Sequence, residues 1–322
     1  MGFVYSQLVV QLPYPTGSYA GKTVVVTGSN TGLGKEAARH YARLGASRLI
    51  LAVRSIDKGN AAKADIESTT SCGKNVIEVW QPDLGSYASV KDFAANISSD
   101  LERVDIFNAN AGLARKKYHT AEDNEETITV NVVSTFLLAA LVLPKLKETM
   151  KRFNVRPTLA ITSSGGHTFA KFPQKDAPEG QIFSTINDPN ASSKVFAEQY
   201  PLSKMLEIFA VRSVGENDPG VTVNCIDPGF CESELARDQD GIFFPLMKFF
   251  LARTTEKGSR TLIHAGSRGS QTHGKYLSNC KIAEPSDIVT GPEGKKLQER
   301  LWIELTQKLE NIQPGVTANF RA

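Results

Sequence analysis

The chain is short of the residues that build stapled or metal-bound scaffolds. Only four of its 322 residues are cysteine (Cys72, Cys225, Cys231 and Cys280), none in a CxxC pair. That number is low for a disulfide framework and points to free thiols in a reducing compartment. The five histidines, His40, His119, His167, His264 and His273, form no HExxH or other ligand spacing, so no metal site is expected. An excess of one charge is missing as well. The 37 basic and 34 acidic residues give a net +3 without long blocks, and nothing suggests a nucleic-acid surface. No apolar run reaches the ~18 residues that a spanning helix needs. The opening stretch, MGFVYSQLVVQLPYPTG, lacks the basic start and clean apolar block of a signal peptide. A cytoplasmic protein is expected, free or in peripheral contact with a membrane.

A chain of this length can bury a large core, as one domain or as two modest ones. Thr23–Thr27 (TVVVT) reads as a continuously apolar, buried parallel strand. Residues 32–44 follow as a helix closed by Gly45. The alternation continues with a strand at 49–53, a polar helix over about 55–69, a strand at 76–80 and a helix around 90–97. Residues 104–108 form the fourth strand, and 124–150 a long helix that Pro144 bends or closes. A strand at Thr158–Thr162, a helix over 198–214, a strand at 221–225 and a short last one at 275–277 complete the pattern. This repetition predicts an α/β fold: a single doubly wound Rossmann-type domain whose parallel β-sheet is flanked by helices. Residues 1–20 form an arm before it, turn-rich through Pro13, Pro15 and Gly17 and expected to pack across the domain or over a neighbour. Residues 21–322 form the domain itself.

Two stretches break the rhythm. Residues 165–197 show no regular element yet carry Phe169, Phe172, Phe183 and Phe196 among prolines and asparagines. Connections that long are usually functional. Residues 230–256 contain GIFFPLMKFF, an aromatic cluster interrupted by Pro245 and Lys248. Both are expected substrate-site segments; core, dimer or membrane-surface packing is the other reading of their aromatics.

TGSNTGLG at 27–34 sets Gly28, Gly32 and Gly34 in a GxxxGxG spacing between the first strand and the first helix. Glycine allows the tight turn and close backbone approach, and the helix N-terminus then faces a phosphate. At this place in a βαβ unit the turn predicts dinucleotide binding by Gly28, Asn30, Thr31, Gly32, Leu33 and Gly34. The second strand runs into LAVRS, where Val53 takes the position at which NAD-preferring folds carry an acid, and Arg54 follows. A guanidinium suits a 2′-phosphate that a carboxylate would repel, so NADP(H) is the expected cofactor. Lys35 adds positive potential or is helix surface. Asp83, beside Leu84, reaches the adenine amine or caps the helix starting near Ser86. Asn110, Ala111 and Gly112 of NANAG keep the backbone close to the cofactor with little side-chain bulk.

Ser163 and Ser164 end the fifth strand, on the side where doubly wound folds bind ligands. Tyr200 and Lys204 of YPLSK sit one helical turn apart. Pro201 is tolerated if that helix starts near 197–199, which puts Tyr200 in its first turn. A phenol beside an ammonium group is a better proton donor and acceptor, although the same spacing is also found on ordinary helix surfaces. Asn131, early in the long helix, holds a water or a backbone carbonyl, or sits on the helix surface. His167, just after Ser164, is a lesser candidate for touching substrate.

Together these residues resemble the classical short-chain dehydrogenase/reductase family, in flavour closest to its retinol-dehydrogenase-like branch and fungal relatives, over residues 21–280. TGSNTGLG is similar to the family's TGxxxGxG, and NANAG to its NNAG. Asn131, Ser164, Tyr200 and Lys204 fall on the family tetrad. Pro228 and Gly229, followed by Ser233, resemble the PGxxxT stretch that holds the nicotinamide carboxamide, with Ser in place of Thr. The resemblance implies that Tyr200 gives a proton to a carbonyl oxygen in reduction or takes one from an alcohol in oxidation. It implies that Lys204 lowers the Tyr200 pKa, binds the nicotinamide ribose and leads through Asn131 and water to a proton relay. Ser164 would hold the substrate oxygen, and hydride would pass at C4 of the nicotinamide, on its pro-S face. Family members are often homodimers or homotetramers, and the sequence does not choose between them. The main departure is the 36-residue interval from Ser164 to Tyr200. It is much longer than usual, and is expected to be an excursion over a bulky, mostly apolar substrate mouth.

The leading expectation is therefore an NADPH-dependent oxidoreductase interconverting a carbonyl and an alcohol on a lipophilic compound, by ketoreduction in secondary or lipid metabolism. An NADP(H)-binding sensor with vestigial chemistry and a non-redox cyclase or isomerase compete with it. An intact Asn131, Ser164, Tyr200 and Lys204 set weighs against the pure binder.

Overall fold

The computed structural model describes residues 3–115, 117–189, 198–232 and 251–321. Phe196, Ser233 and the GIFFPLMKFF cluster lie outside the described residues. The sheet at the centre has the order β3-β2-β1-β4-β7-β8-β9-β10. Its strands are β1 (Thr23–Thr27), β2 (Arg48–Ala52), β3 (Ile77–Trp80), β4 (Ile106–Ala109), β7 (Thr158–Thr162), β8 (Thr222–Asp227), β9 (Tyr276–Ser278) and β10 (Lys281–Ile282). A separate small hairpin joins β5 (Thr120–Ala121) to β6 (Asn124–Glu125). From β3 to β9 every pairing is parallel. The edge strand β10 runs antiparallel to β9, so the sheet is mixed rather than wholly parallel. Asn279 and Cys280 turn the chain there with φ of 52° and 58°, the positive values that two-residue hairpins require.

Alternation along β1 divides the core into two layers. Val25 faces the layer built with Ile50, Phe107 and Leu159. Val24 and Val26 face the other, with Leu49, Leu51 and Ile106. Helices Tyr87–Asp100, Glu126–Phe153 and Gln199–Val214 cover the first layer, and Gly32–Arg43, Ile56–Thr70 and Thr255–Gly266 the second.

The long helix starts at Glu126, after the β5–β6 hairpin, and passes Pro144 without closing. Proline has no N–H for the carbonyl four residues back. That carbonyl, Ala140 O, instead accepts from Asn319 Nδ2 at 3.1 Å, so a distant side chain repairs the ladder. Among the described residues this is the one helix long and apolar enough to cross a membrane, yet 89% of its apolar window is buried inside the fold. It is a core helix.

The excursion expected over the substrate mouth goes elsewhere for most of its described length. Gly165–Phe169 forms one 3-10 turn at the cleft, but Phe172, Ile182, Phe183 and Ile186 are buried in the core. The C-terminal helix Gly294–Ile312 holds this segment down. Glu304 accepts from the backbone N–H groups of Ile182 and Phe183, at 3.2 Å each. Arg300 donates to the carbonyls of Lys175 and Ala177.

Candidate active site

The cleft opens at the C-terminal ends of β1, β4 and β7, where the strand order reverses. It encloses about 1570 Å³, beyond the ~300–1,000 Å³ of an ordinary small-molecule pocket. That leaves room for more than one small molecule.

At one end the glycine turn and NANAG are stitched to each other. Thr27 Oγ1 accepts from the backbone N–H groups of Asn110 and Ala111, at 2.9 Å each. Asn110 Nδ2 returns a bond to Thr27 O at 3.0 Å. Gly28 holds φ +65°, and a side chain there would meet the Ala111 Cα at 2.9 Å. Gly28, Asn30, Thr31, Gly32, Leu33, Ala111 and Gly112 line the cleft. Gly34 does not; it packs underneath, where a Cβ would stand 2.5 Å from both Asn110 Nδ2 and Gly28 O. Gly34→Ala should therefore push the turn open. The expected loss is about 1–3 kcal/mol of stability, the usual range for overpacking, with dinucleotide binding weakened at least in step. Urea unfolding and cofactor fluorescence titration measure the two, and unchanged values would remove the turn's packing as their cause.

The helix after the turn is open to an anion. Thr31 occupies its N-cap without a capping side-chain hydrogen bond, so the first-turn N–H groups are not closed off by a side chain. Arg54 is exposed on the cleft wall beside Ser55 and Lys58. Lys58, one turn into the helix that Ser55 caps, escaped the sequence reading. Lys35 instead pairs with Asp65 at 2.9 Å on the helix surface. Asp83 and Leu84 line the cleft, and Ser86 rather than Asp83 caps the helix that follows. These groups suit the adenosine and phosphate parts of a dinucleotide.

At the other end Ser164, Tyr200 and Lys204 converge on the cleft. Ser164 Oγ accepts from Gly166 N at 3.0 Å and is hydrogen-bonded to Tyr200. Lys204 Nζ donates to Thr162 O at 2.8 Å and to Glu207 Oε1 at 2.7 Å, and lies 5.7 Å from the Tyr200 ring centre. Burial raises the Tyr200 pKa, while Lys204 and Ser164 pull against that rise. The lowering that the resemblance implies is thus present but outweighed.

Asn131 is fully buried within a π-helical turn, Thr129–Ser134, of the kind often found at functional sites. Its amide accepts from Leu113 N and donates to Leu113 O and Ser203 Oγ, each at 2.9 Å. It therefore holds a backbone segment rather than lining the cleft.

His167 lines the cleft with both ring nitrogens already engaged: it is 1% exposed, its Nδ1 meets Ser164 O at 2.7 Å and its Nε2 accepts from Ser286 N at 3.0 Å. Burial keeps its pKa low, and the neutral ring clamps the strand end to the 286 region. Asp227, passed over in DPGF, accepts from Gly165 N and Gly229 N at 2.8 Å each and from Ser278 Oγ at 3.0 Å. It joins three walls of the site.

The N-terminal arm forms part of the cleft wall. Its helix Phe3–Leu8 packs at the cleft, with Phe3 and Tyr5 in the lining alongside Pro228, Gly229 and Phe230. Arg253, only 5% exposed, ties it down by donating to Ser6 O at 2.6 Å, Asn279 Oδ1 at 2.6 Å and Pro228 O at 3.3 Å.

A doubly wound sheet with a glycine turn at its switch point and a Ser-Tyr-Lys cluster beside it defines a nicotinamide-dinucleotide oxidoreductase. The short chain dehydrogenase family model matches residues 22–164. The chain is 61% identical over 324 residues to the short chain dehydrogenase/reductase dmxR8 of Cryptosporiopsis sp. (strain 8999), covering 99% of this chain and 100% of that one. It is 39% identical to the short-chain dehydrogenase anuD of Penicillium roqueforti, over 98% of this chain and 84% of the relative. A 3-ketoacyl-(acyl-carrier-protein) reductase from Brucella melitensis, solved with NADH, shares the fold at a TM-score of 0.59 and 19% identity, covering 81% of this chain and 97% of that one. The chain belongs to the short-chain dehydrogenase/reductase family, whose general activity is NAD(P)-dependent oxidoreduction.

Proposed function

We propose that the protein is an NADPH-dependent ketoreductase acting on a lipophilic compound in secondary or lipid metabolism, within the retinol-dehydrogenase-like branch of the family. The observation that carries this reading is the convergence of Ser164, Tyr200 and Lys204 on one cleft with Arg54 and Lys58 at its far end. A nicotinamide dinucleotide bound there supplies hydride to a carbonyl carbon or accepts it from an alcohol. Gly28, Asn30, Thr31, Gly32 and Leu33 would hold its phosphates, and Arg54 with Lys58 its 2′-phosphate. Tyr200 Oη gives its proton to the carbonyl oxygen, Ser164 Oγ orients that oxygen, and Lys204 keeps a proton for the ribose hydroxyls. Asn131 acts one step back, by fixing Leu113 at the cleft. Phe3, Tyr5, Val10, Phe169 and Phe230 give the substrate end an apolar wall, which supports a lipophilic substrate. The same proposal gives the protein a cytoplasmic setting. The exposed Phe3, Val4, Tyr5, Leu8 and Val9 form a surface suited to a membrane or to a second subunit of a homodimer or homotetramer.

Following absorbance at 340 nm with NADPH and a panel of lipophilic ketones tests the reaction. Product formed without NADPH loss would instead indicate cyclisation or isomerisation. For the cofactor, Arg54→Ala should weaken NADPH binding by about tenfold to a hundredfold, the ~1.5–3 kcal/mol of a charge-assisted hydrogen bond. NADH affinity should hold. Equal loss for both cofactors would refute the 2′-phosphate contact.

A further inference from the structure

The helix that presents Tyr200 and Lys204 carries a third ionisable group beside them. Glu207 is 1% exposed, and its Oε1 takes the Lys204 ammonium at 2.7 Å. With Thr162 O holding a second ammonium proton at 2.8 Å, one of the three is left for the cleft that Lys204 lines. Glu207 Oε2 has no hydrogen-bond partner among the described residues. The Ser163 hydroxyl donates to Lys204 O at 2.9 Å and stands close enough to ease the Glu207 carboxylate as well. A buried carboxylate held by one ammonium and so little else is unfavourable, and packing alone would be better served by leucine.

We propose that Glu207 is a positioning residue of the proton-transfer site, which fixes the Lys204 ammonium against Thr162 O and offsets its charge so that Tyr200 stays protonated. This role rests on the reductase reading above and deepens it. An ammonium group alone near the Tyr200 ring would draw the phenol toward ionisation, and a phenolate can accept a proton but cannot donate one. Burial is the larger cause of the raised Tyr200 pKa, and Glu207 adds to it by offsetting the ammonium, so the phenol stays an acid, which suits carbonyl reduction. Burial holds the Glu207 carboxyl up, at about 7, against the pull of the Lys204 ammonium.

The other groups facing this pair do not replace it. Asp227, at the end of β8, is held by Gly165 N, Gly229 N and Ser278 Oγ and adds to the rise in the Tyr200 pKa. His167 is neutral with both ring nitrogens engaged. Burial keeps Cys225 and Tyr276 in their neutral forms. Arg115, across the cleft, is paired with Glu126, and Arg212, further along the helix, bonds Gln298. Substitution at Glu207 leaves these partners in place, and Cys225, which the carboxylate also holds up, stays neutral through burial.

The test compares wild type, Glu207→Gln, Glu207→Leu and Glu207→Asp, with thermal unfolding as the check on folding. The first readout is the pH profile of kcat/KM for NADPH-dependent reduction of 9,10-phenanthrenequinone. The second is the tyrosinate absorbance titration of Tyr200, taken as the difference from a Tyr200→Phe partner, which needs no turnover. In the Gln and Leu variants the alkaline limb and the titration should both move down by about one pH unit or more, the usual effect of a nearby uncompensated charge. Glu207→Asp should restore most of the wild-type behaviour. Turnover that depends on Tyr200, with neither readout displaced in a folded Gln or Leu variant, overturns the role of Glu207 and leaves the reductase reading standing. A displaced titration in a protein that reduces no carbonyl does the reverse.

Discussion

Tyr200→Phe is expected to fold, to bind NADPH as the parent does, and to lose about 10²–10⁴-fold in kcat/KM, the usual contribution of a positioned general acid. The substitution removes one oxygen and nothing else. Ser164 Oγ, the partner of that oxygen, keeps its bond from Gly166 N, so the strand end holds its shape. The glycine turn and Arg54 stand at the other end of the cleft and are untouched. Stopped-assay rates at 340 nm and cofactor fluorescence titration separate the two effects. Rates within tenfold of the parent, at full cofactor binding, would mean that the proton comes from elsewhere.

Lys204→Met is expected to damage both chemistry and fold. Its ammonium is 5% exposed and binds Thr162 O and Glu207. Without it the Glu207 carboxyl is buried with no counter-charge, a loss of about 3–5 kcal/mol for a broken buried pair. The loss depends on pH, and its sign is fixed. The Glu207 carboxyl is already raised from 4.5 to about 7 by burial, and removing the ammonium raises it further. The native state then holds a proton that the unfolded chain releases near 4.5, so stability falls as pH rises from that value through the folded pKa. Urea unfolding should accordingly show a larger deficit at pH 8 than at pH 5. The double variant Lys204→Met, Glu207→Leu should recover most of the stability and none of the turnover. A single variant as stable as the parent at pH 8 would show that the pair carries little of the fold.

Much of the site was legible because its signals are local. Gly28, Gly32 and Gly34 mark a turn by their spacing, and the buried strand before it is marked by an unbroken TVVVT. Ser164, Tyr200 and Lys204 stand at strand and helix ends that alternation alone locates. Partners distant in sequence were not legible. For Phe172 and Phe183 the sequence left mouth lining and core packing both open, because nothing in their neighbourhood reveals Glu304 and Arg300, which pull the segment into the core. Pro144 read as a bend or a stop because its remedy, Asn319, lies far along the chain. Glu207 drew no reading from the sequence, since the spacing to Lys204 is common on solvated faces and only burial distinguishes it. His167 was named for its place beside Ser164, and its second anchor at Ser286 redirects it.

The N-terminal helix has a consequence for the order in which the molecule is completed. Ser6 meets Asn279 across 273 residues of sequence and Arg253 across 247. Contacts of that separation form late, after the entropy of closing the intervening chain has been overcome. The wall of the cleft is thus expected to be among the last parts to be set in place. Few residues hold it, and its apolar side chains face water, which puts it at the low end of local stability. The mouth of the cleft can therefore loosen while the sheet beneath it stays folded.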